Sequence, residues 1–241
     1  MTNSKDRITS RANPRVKEIC RLKDSPSADA FLVEGKHLCD MAYEAQALLE
    51  VFTLEEVDYK NVPETLVSED VLRKIAYSPS PSKLVGIVKK PALNPAGKKT
   101  LILDRVQDPG NVGTLLRSAL SFGYDEVVAF AGTANFYSPK VIMASQGAIF
   151  HLSLLEVANP LQYIKDKKME GYIIIGSALR NATPLKETPK PSGPFALILG
   201  NEGKGIEEKI LDCCDAVAKI EMEGIESHNV GVAGGILMYE L

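Results

Sequence analysis

The chain has few of the residues that bind metals or form disulfides. Its 241 residues include only four cysteines and three histidines. The cysteines form no C-x-x-C motif, and the histidines lack the spacing of metal ligands. Two of the cysteines are adjacent, Cys213 and Cys214, in a segment predicted to be helical. The sequence therefore predicts no metal site, and cysteines that stay as reduced thiols.

Long apolar runs are also missing. No segment approaches the roughly 20 consecutive apolar residues that a membrane-spanning helix needs. The first six residues, MTNSKD, are not followed by the apolar core of a secretory signal. Hydrophobic residues make up 45% of the chain and charged residues 24%, an ordinary composition for a globular protein. We expect a soluble, cytoplasmic protein without a membrane partner.

Neither of two common nucleotide-binding fingerprints is complete. A Walker motif would begin at Gly200, but Ile206 and Glu207 stand where Lys and Ser or Thr should follow Gly205. The glycines of 110–113 do not have the order of a dinucleotide-binding loop either. These absences argue against a P-loop protein and against a conventional NAD fold.

The charge of the chain is unevenly distributed. The net charge is −3, which by itself argues against a nucleic-acid partner. Basic residues nevertheless outnumber acidic ones in the first 23 positions. The acidic residues there are Asp6 and Glu18, and the basic residues are Lys5, Arg7, Arg11, Arg15, Lys17, Arg21 and Lys23. This segment is either a solvated helix face or a surface that contacts phosphates.

The chain is long enough for two modest domains, and its pattern suggests a break between them. The two prolines and the glycine of 91–97 interrupt both helix and strand. We predict a small α/β domain over 1–90, a linker over 91–99 and a second domain over 100–241. The first domain should contain strands at 31–34, 49–53 and 84–88 and helices at 35–48 and 68–75.

The second domain should be an α/β fold with a mostly parallel sheet, because apolar strands alternate with helical segments. Ligands of such sheets usually bind at the carboxyl ends of the strands. The predicted strands are 100–104, 125–130, 148–157, 172–177, 195–199 and 216–220, and the predicted helices start at 109, near 138, near 160, at 205 and at 228.

A polar turn follows the first strand of this sheet. Asp108 is a suitable N-cap with Pro109 at the first helical position, which puts Asn111 in the first helical turn. Gly113 and Arg117 are four residues apart on one helix face, so Arg117 can lie across the space beside Gly113 and reach a ligand cleft. The alternative is a surface arginine on an exposed face.

Two further turns near the C-terminus have an unusual composition. Glu202 lies between glycines, where backbone can approach a ligand closely and the carboxylate can pair with Arg117 or bind a substrate hydroxyl. Ser227 is a candidate cap for the closing helix, with Asn229 in its first turn. Three glycines in that helix leave one surface bare, which a ligand or a second subunit could cover: Gly231, Gly234 and Gly235.

These three turns resemble the ordered motifs of the SpoU/TrmH family of S-adenosylmethionine-dependent RNA ribose 2′-O-methyltransferases, in the SPOUT superfamily. The matching residues are Asn111-x-Gly113-x-x-x-Arg117, Gly200-Asn201-Glu202-Gly203-x-Gly205, and Ile220-x-Met222 with Ser227-x-Asn229-Val230. The segments Ile8–Lys17 and Phe31–Gly35 are similar to the RNA-substrate-binding module that many family members carry.

The resemblance implies a trefoil-knotted catalytic domain, a homodimer, S-adenosylmethionine as cofactor and structured RNA as substrate. The fused basic N-terminal module favours ribosomal RNA. The implied catalytic residues are Arg117, Asn111, Glu202, Ser227 and Asn229. The implied cofactor-binding residues are Ser177, Ala178, Leu199, Gly200, Gly203, Ile220, Met222, His228 and Val230. No metal is required.

The sequence departs from the family pattern at three positions. His228 stands where Leu is usual, Gly231 where Ser is usual and Glu221 where Pro is usual. Alternatives to ribosomal RNA ribose methylation are a transfer RNA ribose methyltransferase, a base methyltransferase, and a non-catalytic RNA-binding or ribosome-assembly protein that keeps the fold.

Overall fold

The computed structural model describes residues 7–93, 97–225 and 227–241. The chain forms two compact units, one ending at Pro91 and the other beginning at Ala92. Residues 94–96 of the predicted linker and the first six residues of the predicted first domain, with Lys5, lie outside the described residues.

The first unit contains a four-stranded sheet in the order β1-β4-β2-β3. Strand β4 pairs antiparallel with β1 and β2, and β3 pairs parallel with β2. The small α/β unit predicted from the sequence is confirmed. Its elements are α1 Pro14–Asp24, β1 Ala30–Glu34, α2 Lys36–Glu44, β2 Leu48–Thr53, β3 Glu64–Leu66, α3 Glu69–Ile75 and β4 Leu84–Lys89.

Helix α1 buries one face and exposes its charged residues. Asn13 caps it by accepting a hydrogen bond from the Arg15 amide, and Pro14 occupies the first helical position. Val16 and Ile19 are buried in a cluster with residues of α3, including Leu72. Spacing of three residues puts both on one side of the helix, which leaves the charged side chains outside.

The second unit contains a seven-stranded sheet in the order β7-β6-β5-β10-β8-β11-β9, and every strand pair in it is parallel. The predicted α/β class is therefore confirmed. The strands are β5 Lys99–Asp104, β6 Glu126–Phe130, β7 Ser153–Val157, β8 Ile173–Ser177, β9 Thr183–Pro184, β10 Phe195–Gly200 and β11 Ala216–Lys219.

Helices and two short 3-10 turns connect these strands. The central strands β5, β6 and β10 are buried almost along their whole length, as expected for a parallel sheet covered on both faces. The helices are α4 Pro109–Ser121, α5 Pro139–Ser145, α6 Pro160–Met169, α7 Glu208–Leu211 and α8 Val230–Glu240, and the 3-10 turns are Ala148–Phe150 and Leu185–Glu187.

Some predicted boundaries are wrong. Helix α2 ends at Glu44 rather than at residue 48, since the chain re-enters the sheet at Leu48. The predicted strand 148–157 begins only at Ser153, because Gln146 and Gly147 both adopt positive φ and lead into a 3-10 turn. The short strands β3 and β9 were not predicted, because neither is long enough to show a pattern.

Cys213 and Cys214 follow the short helix α7 instead of lying within it, and both are free thiols. Within the described ranges, no three His, Cys, Asp or Glu side chains are grouped so that they could hold a metal ion. None of the helices in those ranges has both the length and the apolar sequence of a bilayer-spanning segment. The trefoil knot remains a prediction.

Candidate active site

A cleft of about 890 Å³ opens at the carboxyl ends of β8, β10 and β11. Its walls come from five segments of the second unit: 177–181 at the end of β8, 199–206 at the end of β10, 208–212 at α7, 217–222 along and after β11, and 227–233 at the start of α8. These segments meet because parallel strands end at the same edge of a sheet.

All nine residues that the resemblance assigns to the cofactor line this cleft. They are Ser177, Ala178, Leu199, Gly200, Gly203, Ile220, Met222, His228 and Val230. Of the five residues assigned to catalysis, Glu202 and Ser227 also line it, whereas Asn111, Arg117 and Asn229 do not.

The glycine-rich turn after β10 closes on itself. The amide of Asn201 donates to the Gly205 carbonyl at 3.1 Å, and the amide of Gly205 donates to the Asn201 carbonyl at 2.9 Å. The Asn201 side chain accepts hydrogen bonds from the amides of Gly203 and Lys204. A Cβ on Gly200 would lie 2.2 Å from backbone atoms of Gly205 and Ile206, so only glycine fits where the turn folds back.

A chain of hydrogen bonds joins one side chain from each of the three motifs. The Asn111 amide nitrogen donates to Glu202 Oε1 at 3.2 Å, and the Asn229 amide nitrogen donates to Asn111 Oδ1 at 2.9 Å. Asn229 Oδ1 in turn accepts from the amides of Gly231 and Val232 at the start of α8. A carboxylate only accepts and a helix N-terminus only donates, so both asparagine side chains have one consistent orientation.

Glu202 is a carboxylate held by a helix N-terminus. Besides Asn111, the backbone amides of Gln107 and Asp108 donate to it at 3.3 and 3.1 Å. Partial burial raises the pKa of Glu202, but hydrogen bonds from its own amide, Asp108, Asn111 and Gln107 outweigh that effect and lower it below its ordinary value. Glu202 is therefore ionised at neutral pH and is a weak base.

Of the two partners expected for Glu202, Arg117 and a substrate hydroxyl, Arg117 makes no contact with it among the described residues. Arg117 is exposed on α4 and makes no hydrogen bond or ion pair with any described residue. The space beside Gly113 is also filled, since a Cβ there would lie 2.4 Å from Ala144 Cβ of α5. Gly113 therefore permits α4 and α5 to pack closely, and the Arg117 side chain stays exposed.

The prediction that Ser227 caps α8, with Asn229 in its first turn, is wrong. Asn229, not Ser227, is the N-cap of α8. The glycine surface of α8 is not bare: a Cβ on Gly234 would lie 2.3 Å from Leu115 of α4 and 2.7 Å from Leu199 of β10. The glycines thus let α8 pack against its own chain.

Sequence reasoning missed several residues of this region. Leu179, Arg180 and Asn181 line the cleft after β8. Asp104 and Arg105, at the end of β5, bind the glycine-rich turn from outside the cleft. A charged pair directly after an apolar strand was the signal that could have indicated the second group.

The lining of the cleft suits a ligand with an aromatic base and a polar tail. Leu199, Ile220, Met222 and Val230 contribute apolar side chains, whereas Gly200 and Gly203 expose backbone to the same space. Small-molecule sites combine an apolar wall with a few polar groups in this way, and their volumes are typically about 300–1,000 Å³.

The sequence matches the model of the SpoU rRNA Methylase family over residues 98–239. It is 34% identical over 245 residues to the 23S rRNA (guanosine(2553)-2′-O)-methyltransferase RlmP of Bacillus subtilis (strain 168), covering 97% of this chain and 98% of that protein.

The fold is also similar to solved structures of RNA methyltransferases. A putative RNA methyltransferase of the TrmH family from Porphyromonas gingivalis is 28% identical, with a TM-score of 0.82 over 93% of this chain and 96% of that one. An AdoMet-bound rRNA methyltransferase from Sinorhizobium meliloti is 25% identical, with a TM-score of 0.85 over 98% and 96% of the two chains.

Proposed function

Because the chain belongs to the SpoU rRNA methylase family, we propose that it transfers a methyl group from S-adenosylmethionine to a ribose 2′-hydroxyl of ribosomal RNA. This membership confirms the resemblance of the three motifs. The hydrogen-bonded chain from Glu202 through Asn111 to Asn229 carries the proposal, since it joins all three motifs beside a cleft that fits the cofactor. A ribosomal RNA guanosine is the substrate named for the Bacillus relative.

S-adenosylmethionine supplies a methyl group that its sulfonium already activates. The nine cleft residues listed above would bind it, and what remains for the protein is to orient the hydroxyl and remove one proton. Asn111, Ser227 and Asn229 are neutral hydrogen-bonding groups suited to orientation. The departure at His228 leaves its backbone available for binding, whatever its side chain does.

The proton of the 2′-hydroxyl needs an acceptor. Glu202 is a weak base because hydrogen bonds lower its pKa, and a guanidinium has no lone pair suited to accept the proton. We therefore assign Arg117 to the phosphate next to the target ribose, and the phosphate oxygen to proton removal. The ribose 2′-oxygen would form a bond to the methyl carbon as the carbon–sulfur bond of the cofactor breaks and its electron pair stays on sulfur. The hydroxyl proton would leave through the phosphate to solvent.

The basic N-terminal segment is our proposed contact with the RNA. Arg15 is paired with Glu18 and Glu50, and Lys23 donates to two carbonyls of the α3 end. Arg11, Lys17 and Arg21 are exposed and have no side-chain partner among the described residues. Unpaired surface cations are those free to bind phosphates. We also propose a cytoplasmic location, in keeping with an RNA substrate.

We further propose a homodimer. Helix α8 is apolar on nearly all sides, yet Val232 is 53% exposed and Tyr239 72% exposed. A helix that is apolar all round is normally buried. A second copy of the chain packed against this face would bury it.

The test is methyl transfer from radiolabelled S-adenosylmethionine to total RNA that lacks the modification, followed by nucleoside analysis. We expect label in a 2′-O-methyl nucleoside of ribosomal RNA. Label in transfer RNA would change the substrate, and label in a methylated base would overturn the ribose mechanism. Cofactor binding without label in any RNA would favour a non-catalytic RNA-binding role.

An internal control comes from two asparagines. Asn111→Ala should lower the transfer rate strongly, because it breaks the chain between the motifs. Asn159→Ala, which removes the cap of α6 outside the cleft, should leave the transfer rate close to that of the wild type.

A further inference from the structure

Asp104 is a buried carboxylate at the end of the strand next to the glycine-rich turn. It lies opposite Gly200 in the parallel register of β5 and β10, and it is only 2% exposed. Its oxygens accept two hydrogen bonds from the Arg105 guanidinium, both at 2.9 Å. A buried carboxylate is costly unless it is paired and hydrogen-bonded, and Arg105 meets that need with its planar fork.

The same two residues bind both ends of the turn. At its start, the Asn201 side-chain nitrogen donates to the Arg105 carbonyl at 2.9 Å. At its end, the Glu207 amide donates to Asp104 Oδ2 at 2.8 Å, and Arg105 Nη2 donates to the Gly205 carbonyl at 3.4 Å. The turn is therefore held by two residues that do not line the cleft.

The backbone of Arg105 is in an uncommon conformation that serves these contacts. Its φ is +58°, a left-handed value that glycine or asparagine adopts more readily. Glycine would relieve the strain but would remove the guanidinium that pairs with Asp104. Strain of this kind persists where the surroundings hold the residue in place, and such positions cluster at functional sites.

We propose that Asp104 and Arg105 are positioning residues that clamp the 200–206 turn in the shape that binds S-adenosylmethionine. This inference rests on the proposed function. Neither residue of the clamp is among those that line the cleft. It acts by reducing the freedom that the glycines would otherwise give the turn, so that less conformational entropy is lost when the cofactor binds.

The variant Arg105→Gly isolates the side chain, because glycine adopts the same positive φ without strain. We expect the Kd for S-adenosylmethionine, measured by calorimetry on the full chain, to rise by about tenfold or more, as loss of hydrogen bonds to a charged group implies. In samples without cofactor, amide hydrogen exchange at Gly203 and Lys204 should be faster in Arg105→Gly than in the wild type.

Lys168→Ala is the matched control. Lys168 pairs with Asp215 at 2.7 Å, and Asp215 also accepts a backbone amide, from Ile174, at 2.8 Å. This pair resembles Arg105–Asp104 in that its carboxylate accepts from a cation and from a backbone amide, but it lies outside the cleft lining and Asp215 is 42% exposed, against 2% for Asp104. A purely structural role would leave the Kd unchanged in both variants and would lower only their thermal stability, more in Arg105→Gly because Asp104 is buried. Arg105→Lys, which keeps the charge but not the fork, should have an intermediate Kd.

An unchanged Kd in both Arg105 variants would overturn the clamp, and so would unchanged amide exchange in the turn. If the wild type itself fails to bind S-adenosylmethionine, the proposed function fails instead. The exchange measurement still tests the clamp in that case, because it needs no cofactor.

Discussion

Glu202 shows how the donors around one side chain decide what that side chain can do. Its carboxylate lies among the backbone amides at the start of α4 and the side chain of Asn111. These donors stabilise the charged form, which suits Glu202 to hold two motifs together and not to accept a proton.

The lowered pKa of Glu202 predicts a pH-dependent contribution to stability. Because the folded pKa lies below the ordinary value of 4.5, the contribution is fully present above pH 4.5 and is lost as the pH falls through the folded pKa. The difference in unfolding free energy between wild type and Glu202→Gln, measured in urea, should be constant from pH 7 to about pH 5 and shrink below pH 4.5. A difference that persists unchanged to pH 3 would contradict this.

Arg117 is the residue on which methyl transfer should depend most. Arg117→Ala should lower the transfer rate by about 10²-fold or more, in line with the loss of a group that stabilises developing charge. The Kd for S-adenosylmethionine should change little, because Arg117 does not line the cleft. The exposed Lys165→Ala on α6 is the control for a lost surface cation. Loss of cofactor binding in a folded Arg117→Ala would show that the role assigned to Arg117 is wrong.

At the level of elements, the packing of α8 on α4 and β10 depends on where its glycines lie. Gly234 faces Leu115 and Leu199, both fully or almost fully buried, whereas the nearest atom to a Cβ on Gly235 is Ser118 Oγ at 3.9 Å. Two adjacent glycines in one helix thus have different surroundings.

This difference predicts opposite effects of the same substitution. Gly235→Ala should raise the free energy of unfolding by roughly 0.5–1 kcal/mol, because alanine favours helix more than glycine does. Gly234→Ala gains the same propensity but displaces buried leucine methyls, at a cost of about 1–3 kcal/mol, and should be the less stable variant. Urea unfolding of both variants measures which one is more stable. Equal free energies of unfolding would contradict the close packing described at Gly234.

Caps explain why several helix starts were predictable and one residue was misassigned. Asp108 and Ser68 each accept a hydrogen bond from an amide in the first turn, as the sequence indicates. Near α8, Ser227 and Asn229 are both good capping residues, so propensity alone does not separate them. Asn229 caps α8 and also reaches Asn111, a contact that depends on how α4 and α8 pack.

At the scale of the whole molecule, the net charge is negative although helix α1 of the first unit is basic. Lys17→Ala with Arg21→Ala removes two unpaired cations, and Arg15→Ala with Lys23→Ala removes two paired ones. Both double variants change the net charge equally. The variant that loses the unpaired cations should reduce the slope of log affinity for RNA against log salt concentration by about 2. The variant that loses the paired cations should reduce that slope by less than about 1. Equal slopes in a filter-binding titration would argue against the α1 face as the RNA contact.

If the protein is a homodimer through α8, charges introduced on the exposed face of that helix should halve its mass in solution. Tyr239→Glu with Val232→Glu should shift the protein from dimer to monomer in analytical ultracentrifugation, because charges would replace exposed apolar residues on α8. Met169→Glu, at a residue that is 70% exposed on α6, should leave the dimer intact. A wild type that sediments as a monomer would refute the proposal.

The sequence by itself determined the two α/β units, the parallel sheet of the second and the position of the cleft at one edge of that sheet. Strand and helix patterns are local, and a parallel sheet brings all its carboxyl ends to one edge, so a ligand cleft could be expected there without knowing any contact. The resemblance to the SpoU/TrmH family then supplied individual lining residues such as Ser177, Gly200 and Ile220. The same reasoning could not fix element ends such as that of α2, where pairing in the sheet decides the boundary.

Only the tertiary structure decided which side chains bind one another. Glu202 binds the start of α4 and not Arg117, Gly234 accommodates buried leucines, and Arg105 reaches a carbonyl 100 positions away. Contacts at such separations depend on strand order and helix packing, which no local propensity encodes. The motifs therefore predicted where the site lies, and the fold determined what each of its residues holds.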